Sequence, residues 1–290
     1  MNMKESSIGL IGLGRMGNGL AVNLARAGFS IIGYDLRPEA ASNLVAAGGR
    51  SAKSSDEILN GCDVVLTCVE GSDSIKLADK ILLPKARPDQ IFIDHSTVPV
   101  HEARRIGKAF IEAGAKYLDA PISGGKDGAE AGTLRVFAGG DKATFDQCLP
   151  LFDAIGNMEK VVHCGPIGMG QATKVVQQLT VRFTNVARLE VIAFGLRAGL
   201  DLDIVMRGLD ITLDSEDPYA SLCKAIKSGA VKKFSYEYAE WKYYLSAAEA
   251  MGFSMPMLKG MFEFCKDGEK TVRDPLDRAE PSIWNELMKS

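Results

Sequence analysis

The sequence predicts an α/β fold: a mostly parallel sheet in the N-terminal part, followed by an all-helical domain entered through a long helix. Three observations carry this. Apolar strand-like runs alternate with segments of helical period up to about residue 165. The first run breaks into G-x-G-x-x-G and passes directly into a helix pattern. From Gly168 to Ala198 there is no proline, and after the first turn only one glycine, Gly195. Apolar residues recur there at Ala172, Val175, Val176, Leu179, Phe183, Val186 and Ala193, which is helical spacing.

The elements follow in order. Ile8-Gly9-Leu10-Ile11 is a strand, Gly12-Leu13-Gly14-Arg15-Met16-Gly17 a turn, and Leu20, Ala21, Leu24, Ala25 and Ala27 mark a helix ending at Gly28. Further strands are expected at Ile31–Tyr34, Val64–Thr67, Ile91–Ile93, Lys116–Leu118, Leu134–Ala138 and Lys160–Val162. Helical period runs from Ala103 to Ala113 and from Ala143 to Ile155. The direction of the later strands is left open. The domain boundary is placed at Gly165-Pro166, giving domains 1–165 and 166–290. The second reads as helices separated by Gly199, Pro218, Gly229, Gly252 and Pro275.

Composition narrows the class. A chain of 290 residues buries a sizeable core without staples. With 46% hydrophobic residues, a formal net charge of −3 and no basic run, nothing argues for nucleic acid or an anionic membrane. The N-terminal apolar run is too short, and broken by glycine, to be a signal or a span. Six cysteines without a C-x-x-C pair read as reduced thiols of a cytoplasmic protein. The three histidines, His95, His101 and His163, show no metal-ligand spacing.

The polar residues cluster after strands, where ligands of open α/β sheets sit. In the glycine turn, Gly12 allows the tight bend, Gly14 lets the backbone approach a pyrophosphate, and Gly17 lets the helix pack closely. The helix N-terminus faces the phosphates. Asp35, about 20 residues past this turn, stands where an acidic side chain holds the ribose 2′-hydroxyl of NAD. Arg37 is the counter-argument, since it is able to pair with the 2′-phosphate of NADP. After the strand at Ile91, Asp94-His95-Ser96-Thr97 offers a helix cap, Thr97 or Ser96 as N-cap with Pro99 in the first turn. Asp119-Ala120-Pro121-Ile122-Ser123-Gly124-Gly125 follows the next strand, and its paired glycines are able to present backbone N–H groups to a carboxylate. Read alone, S-G-G is better taken as a plain turn. Lys174 lies one turn into the long helix, with Gln178 on the same face, at the dipole end that disfavours its charge.

Together these segments resemble the β-hydroxyacid dehydrogenases, the family of 3-hydroxyisobutyrate dehydrogenase and tartronate semialdehyde reductase. Gly12–Gly17 with Asn23 matches the N-terminal signature. Asp94-His95-Ser96-Thr97 matches D-x-S-T, and Asp119–Gly125 matches D-A-P-V-S-G-G. Gly165-Pro166-Ile167-Gly168-Met169-Gly170 with Lys174 matches the lysine-bearing segment, and Gly252 and Pro256 fit the C-terminal helices. The resemblance implies a Rossmann-type domain and hydride exchange between a nicotinamide cofactor, NAD with NADP as the alternative, and a small β-hydroxy acid or its semialdehyde. It implies Lys174 as general acid/base. Ser123, Gly124, Gly125, Gln178 and Thr97 would hold the substrate. Gly12, Leu13, Gly14, Arg15, Met16, Gly17, Asp35, Val69 and Thr97 would hold the cofactor. It implies a homodimer or homotetramer, with the long helix and the C-terminal helices at the interface.

Two departures stand out. Where the family carries K-x-x-N-N, this chain has Lys174-Val175-Val176-Gln177-Gln178, and the extra methylene at Gln178 displaces the amide by more than the ångström scale on which rates change about 100-fold. Where the family carries K-D-L, this chain has Ala239-Glu240-Trp241, or Lys242-Tyr243-Tyr244 in a shifted register. The Gln177-Gln178 pair leaves a specialised or non-catalytic cofactor-binding member as the competing reading. A 6-phosphogluconate-type enzyme fits less well, since that branch has His where Gln177 stands. An imine reductase typically lacks the lysine. Arg135, Asp214 and Tyr219 are candidates for shaping the pocket.

Overall fold

The computed structural model describes residues 3–215, 217–228, 238–266, 271–273 and 279–281. Contacts divide the chain into two compact units, Met1–Val176 and Gln177–Ser290.

The first unit runs β1 (Ser7–Ile11), α1 (Gly17–Arg26), β2 (Ser30–Tyr34), α2 (Ser42–Ala46), β3 (Arg50–Ser51), α3 (Ser55–Gly61), β4 (Val64–Thr67), α4 (Gly71–Leu77) and β5 (Ile91–Asp94). It continues with α5 (Val100–Glu112), β6 (Lys116–Asp119), β7 (Ile122–Ser123), α6 (Gly125–Ala131), β8 (Leu134–Gly140), α7 (Lys142–Ile155) and β9 (Gly156–Gly165), and holds the start of α8 (Met169–Arg197). The sheet order is β3-β2-β1-β4-β5-β6-β8-β7, with β9 on β8. Strands β3 through β6 are mutually parallel. The direction left open by the sequence resolves at β8, which runs antiparallel to β6 and β7, while β9 runs parallel to β8.

Period-2 alternation sorts the strand residues onto two cores. Ile8 and Leu10 of β1, Val64 and Leu66 of β4, and Ile91 and Ile93 of β5 face one side, packed with Leu20, Leu24, Leu151 and Phe152. Val65 and Phe92 face the other, with Ile58, Leu59, Ile106 and Phe110. Both faces of the parallel strands are thus covered, which is why these runs are continuously apolar. Gly9 completes the second face: a Cβ there would lie 2.3 Å from Ile58 Cγ2.

Order reverses at β1, whose neighbours β2 and β4 lead away in opposite directions, so a crevice opens at its carboxyl end. The register aligns Ile11 with Tyr34 and Thr67, Thr67 with Asp94, and Asp94 with Asp119. The loops that follow these strands therefore leave the sheet from one level row.

The second unit contains the rest of α8, then α9 (Leu202–Gly208), α10 (Pro218–Lys227), α11 (Tyr238–Ala250) and α12 (Pro256–Lys266). Ile192, Met206, Leu222, Cys223 and Ala225 form a core there. A short antiparallel pair, β10 (Thr271–Arg273) with β11 (Ala279–Pro281), adds strands to a region expected to be helical throughout. Gly229 and Pro275 lie outside the described residues. Among the described residues no helix is long and apolar enough to cross a membrane, and no His/Cys/Asp/Glu cluster is arranged to hold a metal ion.

Candidate active site

The glycine loop separates its three glycines by function. Gly12 has φ +97°, and a Cβ there would sit 2.4 Å from the Cys68 carbonyl oxygen. A Cβ on Gly17 would lie 1.9 Å from Gly12 O. The fold itself needs both. Gly14 differs: its chain neighbours aside, no atom of the described residues lies within 4 Å of where its Cβ would be. Its missing side chain leaves the loop open to an incoming group, which fits the pyrophosphate of a dinucleotide.

Asp35 secures this loop. Its Oδ2 accepts from Leu13 N at 2.9 Å, and its Oδ1 accepts from Arg37 N at 3.0 Å and Arg37 Nε at 3.1 Å. Burial pushes its carboxyl upward, but the bonds from Arg37 and Leu13 outweigh that and hold it below the usual range. Arg37 thus spends its Nε on Asp35. The carboxylate still follows β2 beside the loop, as a ribose-binding acid does.

At the end of β5, Asp94 is buried and accepts from Thr67 Oγ1 at 2.8 Å, Ser74 Oγ at 2.9 Å and Ser96 N at 2.9 Å. Ser96 Oγ in turn accepts from Val69 N at 3.1 Å. The expected helix cap is therefore corrected. Helix α5 starts at Val100 with Pro99 as N-cap and no side-chain cap bond, while Ser96 braces the loop after β4. The next residue, Thr97, is buried and turned toward Lys174. His95 is a core residue: Nδ1 lies 2.7 Å from Ala120 O, the ring packs edge-on to Phe152, and burial lowers its pKa.

The S-G-G segment is more than a turn. Ile122 and Ser123 form β7, with Ser123 opposite Arg135 of β8. Gly124 at φ +147° and Gly125 at φ +66° then turn the chain into α6 through backbone conformations that L side chains rarely adopt. Helix α6 is tied to α1. A Cβ on Gly19 would lie 2.6 Å from the Ala129 carbonyl, and Asn23 Nδ2 donates to Ala129 O at 2.7 Å. The asparagine of the N-terminal signature thus links the glycine loop's helix to the helix that follows Gly124.

Lys174 is buried, 4% exposed, and its Nζ donates to Thr97 Oγ1 at 2.5 Å. The start of α8 that carries it is fastened to the sheet by Asp119, a residue of the Asp119–Gly125 segment whose anchoring role no local pattern discloses. Asp119 accepts from Gly168 N at 2.7 Å and Gln171 N at 2.9 Å. Burial pushes its carboxyl up to about 7, against the lowering effect of those two bonds. Gly139 and Gly170 leave room for it: a Cβ on either would come within 2.5 Å and 2.9 Å of its carboxylate oxygens.

Other positions named from the sequence make the following contacts. Gln178 belongs to the second unit, where its Oε1 accepts from Arg182 Nη2 at 3.0 Å. At the K-D-L position, Trp241 is a buried core side chain and Glu240 accepts from Tyr244 Oη at 2.8 Å; the side chain of Ala239 lies outside the described residues. Tyr219 packs under Arg188, 4.7 Å from ring centre to guanidinium carbon. Burial raises the thiols of Cys62, Cys68 and Cys148 to about 11, 12 and 12, the reverse of what a nucleophile requires.

A parallel sheet reversing order at a glycine loop, with an acid after the second strand, defines a dinucleotide-binding α/β protein. The comparisons agree. Residues 7–165 match the NAD binding domain of 6-phosphogluconate dehydrogenase. The NAD-dependent L-serine dehydrogenase of Pseudomonas aeruginosa is 37% identical over 201 residues, 68% of this chain and 67% of that protein. The 3-hydroxyisobutyrate dehydrogenase of the same organism is 33% identical over 199 residues, 68% of this chain and 66% of its own length. The matched stretch thus spans about two thirds of these relatives. A solved structure described as Mycobacterium tuberculosis 3-hydroxyisobutyrate dehydrogenase with L-serine superposes over 98% of this chain and 99% of that one, at 26% identity and a TM-score of 0.81. The chain belongs to the 3-hydroxyisobutyrate dehydrogenase, or β-hydroxyacid dehydrogenase, family, with an NAD-binding domain of the 6-phosphogluconate dehydrogenase type. An imine reductase from Myxococcus stipitatus, 15% identical with a TM-score of 0.64, shares the fold.

Proposed function

We propose that the protein is an NAD-preferring dehydrogenase of small β-hydroxy acids such as 3-hydroxyisobutyrate or L-serine, working in either direction with the matching semialdehyde. The observation that carries this is the buried Lys174 Nζ on Thr97 Oγ1, in the same unit as the glycine loop and the row of strand ends.

When bound, NAD supplies the hydride acceptor. On oxidation the substrate's carbinol C–H bond breaks with its electron pair, the hydroxyl O–H breaks, and a C=O forms. Lys174 in its neutral form takes the hydroxyl proton, and returns it on reduction. Thr97 Oγ1 orients the amine. Ser123, Gly124 and Gly125 hold the substrate carboxylate by backbone N–H groups and the Ser123 hydroxyl. The glycine loop from Gly12 to Gly17, with Leu13, Arg15, Met16, Asp35, Val69 and Thr97, holds the cofactor. Asp35 favours NAD because a 2′-phosphate would meet a carboxylate, and its bond to Arg37 Nε supports that preference.

Gln178 is proposed as a substrate contact from the family resemblance alone, and on the same ground the protein is proposed to form a homo-oligomer. Light scattering on the purified chain checks the latter. Changing Gln178→Asn separates a specialised site from a decayed one. A large gain on ordinary family substrates indicates decay, whereas no gain, with good native turnover of another acid, indicates specialisation.

The decisive test is Lys174→Ala, assayed with 3-hydroxyisobutyrate and L-serine against NAD and NADP. Turnover should fall by about 1,000-fold or more, on the scale of a lost acid–base group, while NADH binding persists. Near-normal turnover would sink the mechanism.

A further inference from the structure

One side chain holds the backbone on both sides of Thr97. Gln171 is 1% exposed. Its Nε2 donates to Ser96 O at 2.8 Å, and its Oε1 accepts from Val98 N at 3.3 Å. The amide therefore straddles Thr97, fixing the backbone on each side of it. Only one orientation of the amide satisfies both bonds, since the reverse would set oxygen against oxygen and N–H against N–H.

Gln171 and Lys174 are three residues apart on α8, so their side chains leave the same face of the helix. A closed ring results: Gln171 to the Ser96–Val98 backbone, Thr97 Oγ1 to Lys174 Nζ, and one helical turn back to Gln171. The ring is anchored from below, because Gln171 N donates to Asp119 Oδ2, and Gly168 N to its Oδ1. Helix and loop are thus joined at two points, and neither slides or rotates without breaking a buried bond. Buried polar groups in such rings are costly to leave half-satisfied, so the arrangement holds one geometry.

We infer that Gln171 is a positioning residue of the proton-transfer pair, acting through Thr97, with Asp119 as the anchor of the helical turn they share. This rests on the proposed role of Lys174. The requirement is specific to a side-chain amide. Methionine at position 171 fills a similar volume and makes neither bond. Glutamate keeps the acceptor for Val98 N but turns a second oxygen toward Ser96 O.

The test uses the full chain labelled with ¹⁵N at lysine Nζ, in which the Lys174 resonance is identified by its loss in Lys174→Arg. In Gln171→Met and Thr97→Val the Lys174 resonance and its pH midpoint should move while the other lysines stay in place. Adding Gln171→Met to Thr97→Val should move them no further. With NAD and 3-hydroxyisobutyrate or L-serine, Gln171→Met should lower kcat about tenfold or more, in line with the sensitivity of rates to ångström misplacement, with NADH affinity within about twofold of the parent. Its effect should vanish in the Thr97→Val background. Should Gln171→Met fail to fold, Gln171→Asn, a neutral amide too short to hold both bonds, carries the same comparison, and a shift in the same direction is expected. An unmoved Lys174 resonance in a folded Gln171 variant overturns the inference, and so do effects of Gln171→Met and Thr97→Val that simply multiply. Full activity of Lys174→Ala would instead overturn the proposed chemistry, and the resonance shifts would still decide whether the ring positions the amine.

Discussion

Asp35 and Asp119 make an instructive pair. Each stands at the carboxyl end of a parallel strand, Asp35 just past β2 and Asp119 as the last residue of β6. Each uses its carboxylate to hold backbone N–H groups of a glycine-containing segment: Leu13 in one case, Gly168 and Gln171 in the other. Yet they titrate in opposite directions. Asp35 is partly open to solvent and gains a guanidinium, so its charged form is favoured despite some desolvation. Asp119 is fully buried and forms no ion pair among the described residues, and desolvation outweighs the two N–H bonds. The same local device thus yields a half-buried, cation-paired brace for a ligand loop in one place and a fully buried anchor for a helix in the other. The surroundings decide which, through burial and the presence of Arg37.

The largest effect that would break this contrast is expected from Asp119→Ala. It strands two buried N–H groups and should cost about 3 kcal/mol, measured by urea unfolding. An exposed, replaceable Asp119 would cost almost nothing. Next comes the pH dependence. The folded-state pKa of Asp119, about 7, lies above the unfolded value near 3.8, so the folded chain binds more protons between them. Its contribution is complete below the unfolded value and is lost as pH rises through about 7. Unfolding free energies at pH 5, 6, 7 and 8 should therefore decline more steeply in the parent than in Asp119→Asn. Identical slopes would contradict the raised pKa. Asp35 works the other way, its contribution fading as pH falls through its lowered pKa.

A smaller effect belongs to Asp35→Asn. NADH affinity should fall about tenfold, roughly 1.4 kcal/mol, with little change in stability, and fluorescence titration reads it. A stability loss as large as that of Asp119→Ala would erase the distinction between the two residues. The smallest effect is expected from Arg37→Ala. The Arg37 side chain is itself largely exposed, so unfolding should change by less than about 0.5 kcal/mol.

Much of this was legible in the chain. Val64–Thr67 reads as a strand and is β4 to the residue, because a buried parallel strand needs an unbroken apolar run. The long helix from Gly168 is α8, and the glycine turn lies where its spacing put it. Short elements escaped. The two-residue strands β3 and β7 carry no periodicity of their own and exist only because a neighbour pairs with them. Ser96 was misread for a related reason: Ser and Thr before a proline look like a helix cap, but the loop after β4 competes for that hydroxyl and takes it.

What the sequence determined by itself is therefore the order and kind of the main elements, the glycine loop with Asp35 after the second strand, and the family to which the lysine-bearing segment points. Those signals are periodic or contiguous, and such local patterns survive without knowledge of what lies beside them. Only the tertiary structure decided that Asp119 turns inward to hold α8, that Gln171 straddles Thr97, and that Lys174 meets the Thr97 hydroxyl. These bonds join residues 52, 75 and 77 positions apart. Aspartate, glutamine and lysine are ordinarily surface residues, and only the pairing of buried polar groups across the folded chain gives them those places.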